Sequence, residues 1–109
     1  MPSRAATVEP EVEDETSDQL QPLYHVILLN DDDHSYEYVI IMLQQLFGHP
    51  PELGYQMAKE VDSTGRVIVD TTSRERAELK QEQIHAFGPD PLSSRDCKGS
   101  MSAVIEPAV

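Results

Sequence analysis

Apolar residues along this chain occur in short segments with two different periods. Residues 24–29 hold a tyrosine, a histidine and four aliphatic residues, a run long enough for a strand and too short for a typical helix. From residue 35 onward, apolar residues recur at intervals of three and four, the period of an amphipathic helix. The pattern therefore predicts a strand at 24–29 and a first helix at 35–47.

A second helix and a second strand follow a proline-containing loop. Gly48 ends the first helix, and the two prolines after His49 suit the start of a new one, which we predict over residues 51–62. Gly54 inside this helix weakens it by about 1 kcal/mol relative to alanine. The apolar run at 66–69 then predicts a second strand.

The last third of the sequence predicts a charged helix and a closing strand. Thr72 and Glu75 are spaced as a capping box for a helix over 74–87, whose charged faces, Lys80 included, are expected to be solvated. Alternating residues at 100–106 predict a third strand. The order β-α-α-β-α-β predicts an α+β domain in which three helices pack on one face of a three-stranded, mainly antiparallel sheet.

The N-terminal residues have a different composition from the rest. Residues 1–22 are acidic and contain three prolines, which predicts a flexible tail ahead of a core domain at 23–109. The formal net charge of the whole chain is -12, which disfavours nucleic acid and anionic lipid as partners. A single cysteine, Cys97, and the lack of a signal peptide or of an apolar run of about 20 residues predict a cytoplasmic protein that does not contact the membrane. We expect a monomer.

A polar turn joins the first strand to the first helix. Asn30, Asp31, Asp32 and Asp33 lie between them, so an amide and three carboxylates are expected beside the apolar face of a helix. Such a negative rim next to an apolar wall suits a ligand with one positive charge and one apolar group. The same residues could also serve only to form the turn and cap the helix, and the residues alone leave both interpretations open.

Metal binding and catalysis are less favoured interpretations of this turn. Asp31, Asp32, Asp33 and His34 could ligate magnesium, manganese or iron, as in a metal-dependent hydrolase, but adjacent turn residues rarely all face one centre. Cys97 lies between charged loop residues with no histidine at a spacing typical of a catalytic dyad. We therefore expect no catalytic residue, no metal and no cofactor.

The segment 24–32, followed by Val39, closely resembles the ClpS adaptor family. The resemblance continues at Gly65, at 77–80 and at 105–108, and so covers about residues 24–108. It implies a fold similar to the C-terminal domain of the ribosomal stalk protein and a non-enzymatic function. Members bind proteins that bear a destabilising bulky N-terminal residue (an N-degron) and deliver them to the N-domain of a ClpA- or ClpC-like AAA+ unfoldase with its peptidase.

The resemblance also implies roles for individual residues. The tail at 1–22 corresponds to the family's N-terminal extension, which engages the unfoldase, and Glu75 and Lys80 correspond to residues that dock on the unfoldase N-domain. Asn30, Asp31, Asp32 and Asp62 correspond to the positions around the substrate's α-amino group. The positions that line the side-chain pocket are His34, Tyr36, Val39, Ala58, Val61 and Met101.

Four departures from the family pattern concern this site. Asp62 stands where the family has a histidine, Tyr36 replaces a common methionine at the pocket mouth, and His34 with Ser35 replaces a threonine and a proline. The loop at 88–99 is several residues longer than usual. These departures leave open an alternative function, a Clp-associated regulator that docks on the unfoldase without binding N-degrons.

Overall fold

The structure is a computed structural model that describes residues 22–31, 33–91 and 99–109. Three strands and three helices follow one another in the predicted order. Their bounds are β1 (Tyr24–Leu29), α1 (Tyr36–Phe47), α2 (Pro51–Thr64), β2 (Arg66–Thr72), α3 (Arg74–His85) and β3 (Ser102–Pro107). β1 lies in the centre of the sheet and pairs antiparallel with both neighbours, in the order β2-β1-β3. The predicted α+β class is confirmed, whereas the predicted tail, apart from Pro22, lies outside the described residues.

The hydrophobic core lies between the sheet and the three helices. Successive side chains of a strand point to opposite faces, so Val26 and Leu28 of β1 share the core face and Ile27 points to the other. The register between β1 and β2 shifts between Val26 and Ile27, which is the mark of a β-bulge in β2. The core includes strand residues Val26, Leu28, Val67, Val69 and Ala103 and helix residues Val39, Met42, Leu43, Ala58, Val61, Ala77 and Ile84.

The helix ends mostly follow the predicted signals. The Ser35 hydroxyl caps α1 by accepting from the Tyr38 amide at 3.1 Å. Gly48 and Gly65 end α1 and α2 with left-handed φ values of 75° and 91°, a region in which glycine meets no steric penalty. The predicted Thr72 capping box is wrong, because Ser73 caps α3 and accepts from the Arg76 amide at 3.3 Å.

α1 and α2 pack closely at a glycine. Gly54 of α2 is buried, and a Cβ atom at this position would lie 3.3 Å from the Ile40 Cα of α1. The glycine that weakens α2 as an isolated helix therefore allows the close approach of the two helices that flank the candidate site. None of the helices in the described part of the chain is long and apolar enough to cross a bilayer.

Candidate functional site

A cavity of about 90 Å³ lies where the end of β1, the start of α1, the second half of α2 and the residue before β3 meet. The polar turn supplies Asn30 and His34, and the first turn of α1 supplies Tyr36 and Val39. One face of α2 contributes three residues at helical spacing. Among the described residues, the lining is Asn30, His34, Tyr36, Val39, Ala58, Val61, Asp62 and Met101, and the resemblance implied a place in the site for every one of them.

The floor of the cavity is apolar and buried. Val39, Ala58, Val61 and Met101 are each at most 3% exposed and belong to the hydrophobic core. Their positions are therefore held by packing against the rest of the core, and the floor is a fixed part of the fold. The structure thus brings together all four of the predicted apolar pocket residues.

The position of Asn30 at the cavity is set by a backbone hydrogen bond to the turn between α2 and β2. Its amide donates to the Gly65 carbonyl at 3.1 Å, directly after the last residue of β1. This bond fixes the start of the polar turn against the end of α2.

Asp31 stabilises the polar turn through one of its two carboxylate oxygens. Its Oδ1 accepts from the Asp33 amide at 3.0 Å, which closes an Asx turn, and lies 2.9 Å from His34 Nδ1. The hydrogen bonds that described residues make with this carboxylate are both at Oδ1, and the side chain is 33% exposed. Turn formation and cation binding are therefore compatible at this residue, since each uses a different oxygen. Asp32 lies outside the described residues.

His34 is a buried link between the polar turn and the segment before β3. Its side chain is 3% exposed, and its Nε2 lies 2.9 Å from the Gly99 carbonyl while Nδ1 faces Asp31. Each ring nitrogen therefore has a partner oxygen, and the two contacts fix the orientation of the ring. The ring also packs on Tyr38, with centroids 4.4 Å apart.

Tyr36 and Asp62 join the two helices across the outer rim of the cavity. The Tyr36 hydroxyl donates to Asp62 Oδ2 at 2.7 Å, and the Tyr36 ring meets Tyr55 edge-on at 5.8 Å. The hydrogen bond to Asp62, and after it partial burial and the negative charge, raise the pKa of the Tyr36 phenol above 10.0. Both residues are more exposed than the floor, so they form the edge of the opening.

Asp90 is far from this site in the sequence but stabilises the start of α1, and the sequence analysis did not identify it. It is 4% exposed, and its Oδ2 accepts from the Ser35 amide at 2.6 Å, at the N-terminus of α1. Tyr38 adds a second link, since its hydroxyl donates to the Gly88 carbonyl. The contact between Asp90 and Ser35 spans 55 residues, and no local pattern in the sequence marks it.

The two predicted docking residues have different environments. Glu75 is exposed in the first turn of α3. Lys80 is 8% exposed, its ammonium donates to the Leu46 carbonyl near the end of α1, and it lies 5.4 Å from the centre of the Phe47 ring. The expectation that Lys80 lies on a solvated face is therefore wrong, and its charge contributes to the packing of α3 on α1.

Of the four turn residues in the alternative metal interpretation, the structure describes Asp31, Asp33 and His34 but not Asp32. In the ranges 22–31, 33–91 and 99–109, no three His, Cys, Asp or Glu side chains are grouped so that they could hold a metal ion. Asp31 and His34 instead contact each other. Cys97 lies outside the described residues.

Comparisons with known proteins agree on one family. The family model described as ATP-dependent Clp protease adaptor protein ClpS matches residues 19–94. The ATP-dependent Clp protease adapter protein ClpS of Salmonella arizonae is 37% identical over 78 residues, which cover 70% of this chain and 74% of the relative. The protein of the same name from Xanthomonas campestris pv. campestris is 39% identical over 66 residues, and the match spans 61% of this chain and 62% of the relative.

A solved structure extends the likeness to the fold. The structure of Agrobacterium tumefaciens ClpS2 bound to L-phenylalaninamide matches with a TM-score of 0.67 at 26% sequence identity. The match covers 79% of this chain and 96% of that chain.

Proposed function

This chain belongs to the ClpS family of ATP-dependent Clp protease adaptor proteins, and from that premise we propose that it binds substrates through a bulky apolar N-terminal residue. It delivers them to a Clp-type AAA+ unfoldase and its protease without catalysing a reaction itself. The observation that carries this proposal is the cavity, whose floor is apolar and whose rim holds the Asn30 amide and the Asp62 carboxylate, with Asp31 beside it.

The polar rim suits a protonated α-amino group. An α-ammonium group carries one positive charge and several N–H donors, and charge-assisted hydrogen bonds to carboxylates are about twice as strong as neutral ones. Asp31 Oδ2, the Asp62 carboxylate and the Asn30 side chain are the acceptors in this proposal. Asp32 belongs to the same group by its place in the sequence. An internal peptide unit has neither the charge nor these donors, so the rim distinguishes a chain end from the rest of a protein.

The apolar floor suits the side chain of the first residue. Burial of apolar surface contributes roughly 25 cal/mol per Å², so a large apolar side chain gains more from the floor than a small one does. Leu, Phe, Tyr and Trp are the first residues that this argument favours. L-phenylalaninamide, the ligand of the matched Agrobacterium structure, carries a free α-amino group and an aromatic side chain.

The partners and the setting belong to the same proposal. The protein acts in the cytoplasm as a monomer, and its partner is the N-domain of a ClpA- or ClpC-like unfoldase. Exposed Glu75 contributes to that contact, the tail at 1–22 serves as a tether, and residues 23–109 form the adaptor domain.

A panel of peptides that differ only at the first residue tests the proposal. Titration should show that peptides beginning with Leu, Phe, Tyr or Trp bind, and that those beginning with Gly or Asp bind much more weakly. Asp31→Ala should weaken binding by about 2–4 kcal/mol, because it leaves the bound ammonium poorly paired. Glu82→Ala, which removes an exposed carboxylate on α3, is the matched control and should leave the affinity unchanged. Equal affinity across the whole panel would contradict the proposal.

The hydrogen bond between Tyr36 and Asp62 across the cavity opening favours a second candidate function. Because Tyr36 and Asp62 are already paired, the chain could dock on the unfoldase as a regulator without accepting an N-degron. Binding of the chain to the unfoldase N-domain, together with no binding of any peptide in the panel, would select this function over the first.

A further inference from the structure

The cavity is too small for the side chains that the proposed function requires. Its volume is about 90 Å³. An engineered protein cavity of roughly 150 Å³ is known to accept benzene, and the present volume is well below that. If the chain binds N-terminal aromatic residues, part of the lining has to move.

The rim is the part that can move at the smallest cost. The four apolar floor residues are packed in the core, whereas Tyr36 and Asp62 at the opening are more exposed than the floor. Tyr36 is the first residue of α1, and its ring rests against exposed Tyr55 at the surface. Its hydroxyl bond to Asp62 is the hydrogen bond that holds it across the opening. Rotation of one side chain, with the loss of one hydrogen bond, therefore enlarges the cavity.

We propose that the hydrogen bond from Tyr36 to Asp62 is a latch, and that an incoming α-ammonium group opens it by replacing the phenol as the donor to Asp62. This inference rests on the proposed function, and it makes Tyr36 and Asp62 residues that determine specificity. The Asp62 carboxylate has a donor in both states: the phenol before binding and the ammonium group afterwards.

The exchange is favourable because the ammonium group brings a full charge. The phenol is neutral at physiological pH, and its hydrogen bond to Asp62 keeps it protonated. An ammonium group offers the same carboxylate both a donor and an opposite charge, and pairs of this kind form the shorter and stronger bonds. An acetylated terminus has no charge to offer, so it leaves the latch closed.

The latch predicts opposite effects for the two partners of one bond. Tyr36→Phe keeps the ring and removes the bond, so the peptide no longer has to break it, and affinity should rise roughly two- to tenfold, as expected for one net hydrogen bond. Asp62→Asn removes the charge that attracts the ammonium group, so affinity should fall by about tenfold or more. A pair that served only to stabilise the fold would give changes of the same sign.

Titrations with a peptide that begins with phenylalanine, as free amine and as N-acetylated form, test the latch. The variants are Tyr36→Phe, Asp62→Asn and the control Tyr55→Phe, which removes a hydroxyl from the same surface and leaves the bond between Tyr36 and Asp62 intact. Thermal unfolding establishes that each variant is folded. The latch predicts tighter binding by Tyr36→Phe, weaker binding by Asp62→Asn and no change for Tyr55→Phe, all for the free amine only.

The outcomes separate the latch from the proposed function. If the wild type prefers the free amine but Tyr36→Phe binds no more tightly than Tyr55→Phe, the latch is overturned and the proposed function stands. Weakening of binding by both Tyr36→Phe and Asp62→Asn overturns it as well. If neither the wild type nor Tyr36→Phe distinguishes the two peptides, the proposed function itself fails. Binding of the free amine by Tyr36→Phe alone supports a latch that is tightly closed.

Discussion

The polar side chains around the cavity are held in place before any ligand arrives. Asp31 Oδ1 is fixed by the Asp33 amide and by His34, and His34 is fixed in turn by the Gly99 carbonyl. A preorganised site loses less conformational entropy on binding, and so more of the interaction energy is realised as affinity. Only the Tyr36 side chain has to change position in the binding event that we propose.

The pKa of the Tyr36 phenol reports directly on its hydrogen bond to Asp62. The bond raises the pKa of the phenol above 10.0, so the protonated form is stabilised in the folded state. Its contribution to stability is therefore present below pH 10 and is lost as the pH rises through the raised pKa. The difference between the ultraviolet absorbance titrations of the wild type and of Tyr36→Phe isolates this residue from the other tyrosines.

Asp62→Asn provides the matched control for that titration. It removes the charge of the acceptor but keeps its shape, and should return the pKa of Tyr36 towards its ordinary value of 10.0. An unchanged titration of Tyr36 in Asp62→Asn would show that the two side chains are not paired in solution.

At the residue scale, the sequence indicated the residues that line the cavity but not the buried charged groups that stabilise the elements around it. The resemblance to ClpS implied a place in the site for each of the eight described lining residues. Asp90 and Lys80 were not recognised as buried groups, because their partners lie 55 and 34 residues away. A carboxylate or an ammonium group with a distant backbone partner leaves no periodic signal in the sequence.

At the scale of elements, Gly54 sets how closely α1 and α2 pack. The sequence alone showed this glycine only as a weak point of the helix, whereas its contact with Ile40 of α1 shows a packing role. Gly54→Val should lower the free energy of unfolding by about 1–3 kcal/mol, because the added methyl groups force the helices apart.

Gln56→Val is the control for this prediction, because it places the same β-branched residue at an exposed position of α2. Valine has a better helix propensity than glycine, so the expected loss in Gly54→Val comes from the clash, whereas Gln56→Val shows the effect of a valine that meets no clash. Chemical denaturation of both variants measures the difference. A Gly54→Val variant that is as stable as the wild type, or more stable, would show that the contact at Ile40 has no steric role.

The boundaries of the helices and strands show which sequence signals predict an end accurately. α1 and α2 end at glycines with positive φ, and both ends were predicted within two residues. β2 was predicted to end at Val69 but continues to Thr72, because its last three residues pair with Tyr24, His25 and Val26 across the sheet. Strand pairing is a tertiary effect, and it carries the strand through Asp70, which has little intrinsic preference for one, to the two threonines that follow.

At the scale of the whole molecule, the two predicted docking residues should behave differently. Lys80→Met retains most of the side-chain volume but leaves the Leu46 carbonyl without its donor, and should lower the free energy of unfolding by about 1–3 kcal/mol. Glu75→Lys reverses an exposed charge in the first turn of α3 and should lower the free energy of unfolding by only about 0.5–1 kcal/mol, through the helix dipole.

Binding to an isolated unfoldase N-domain and chemical denaturation, measured on the same two variants, separate these roles. We expect Glu75→Lys to weaken docking while the fold remains intact. Loss of docking by Lys80→Met with wild-type stability would contradict the structural role of Lys80. The division into a tail at 1–22 and a core at 23–109 remains a prediction at this scale.

The central claim is that residues around this cavity hold a free, charged chain end together with its apolar side chain. The most direct measurement compares the affinity of the wild-type protein for two peptides that begin with phenylalanine and differ only in N-terminal acetylation. We predict that the free amine binds and that acetylation reduces the affinity by about a hundredfold or more, since two charge-assisted bonds are lost. Equal affinity for the two peptides would contradict the account.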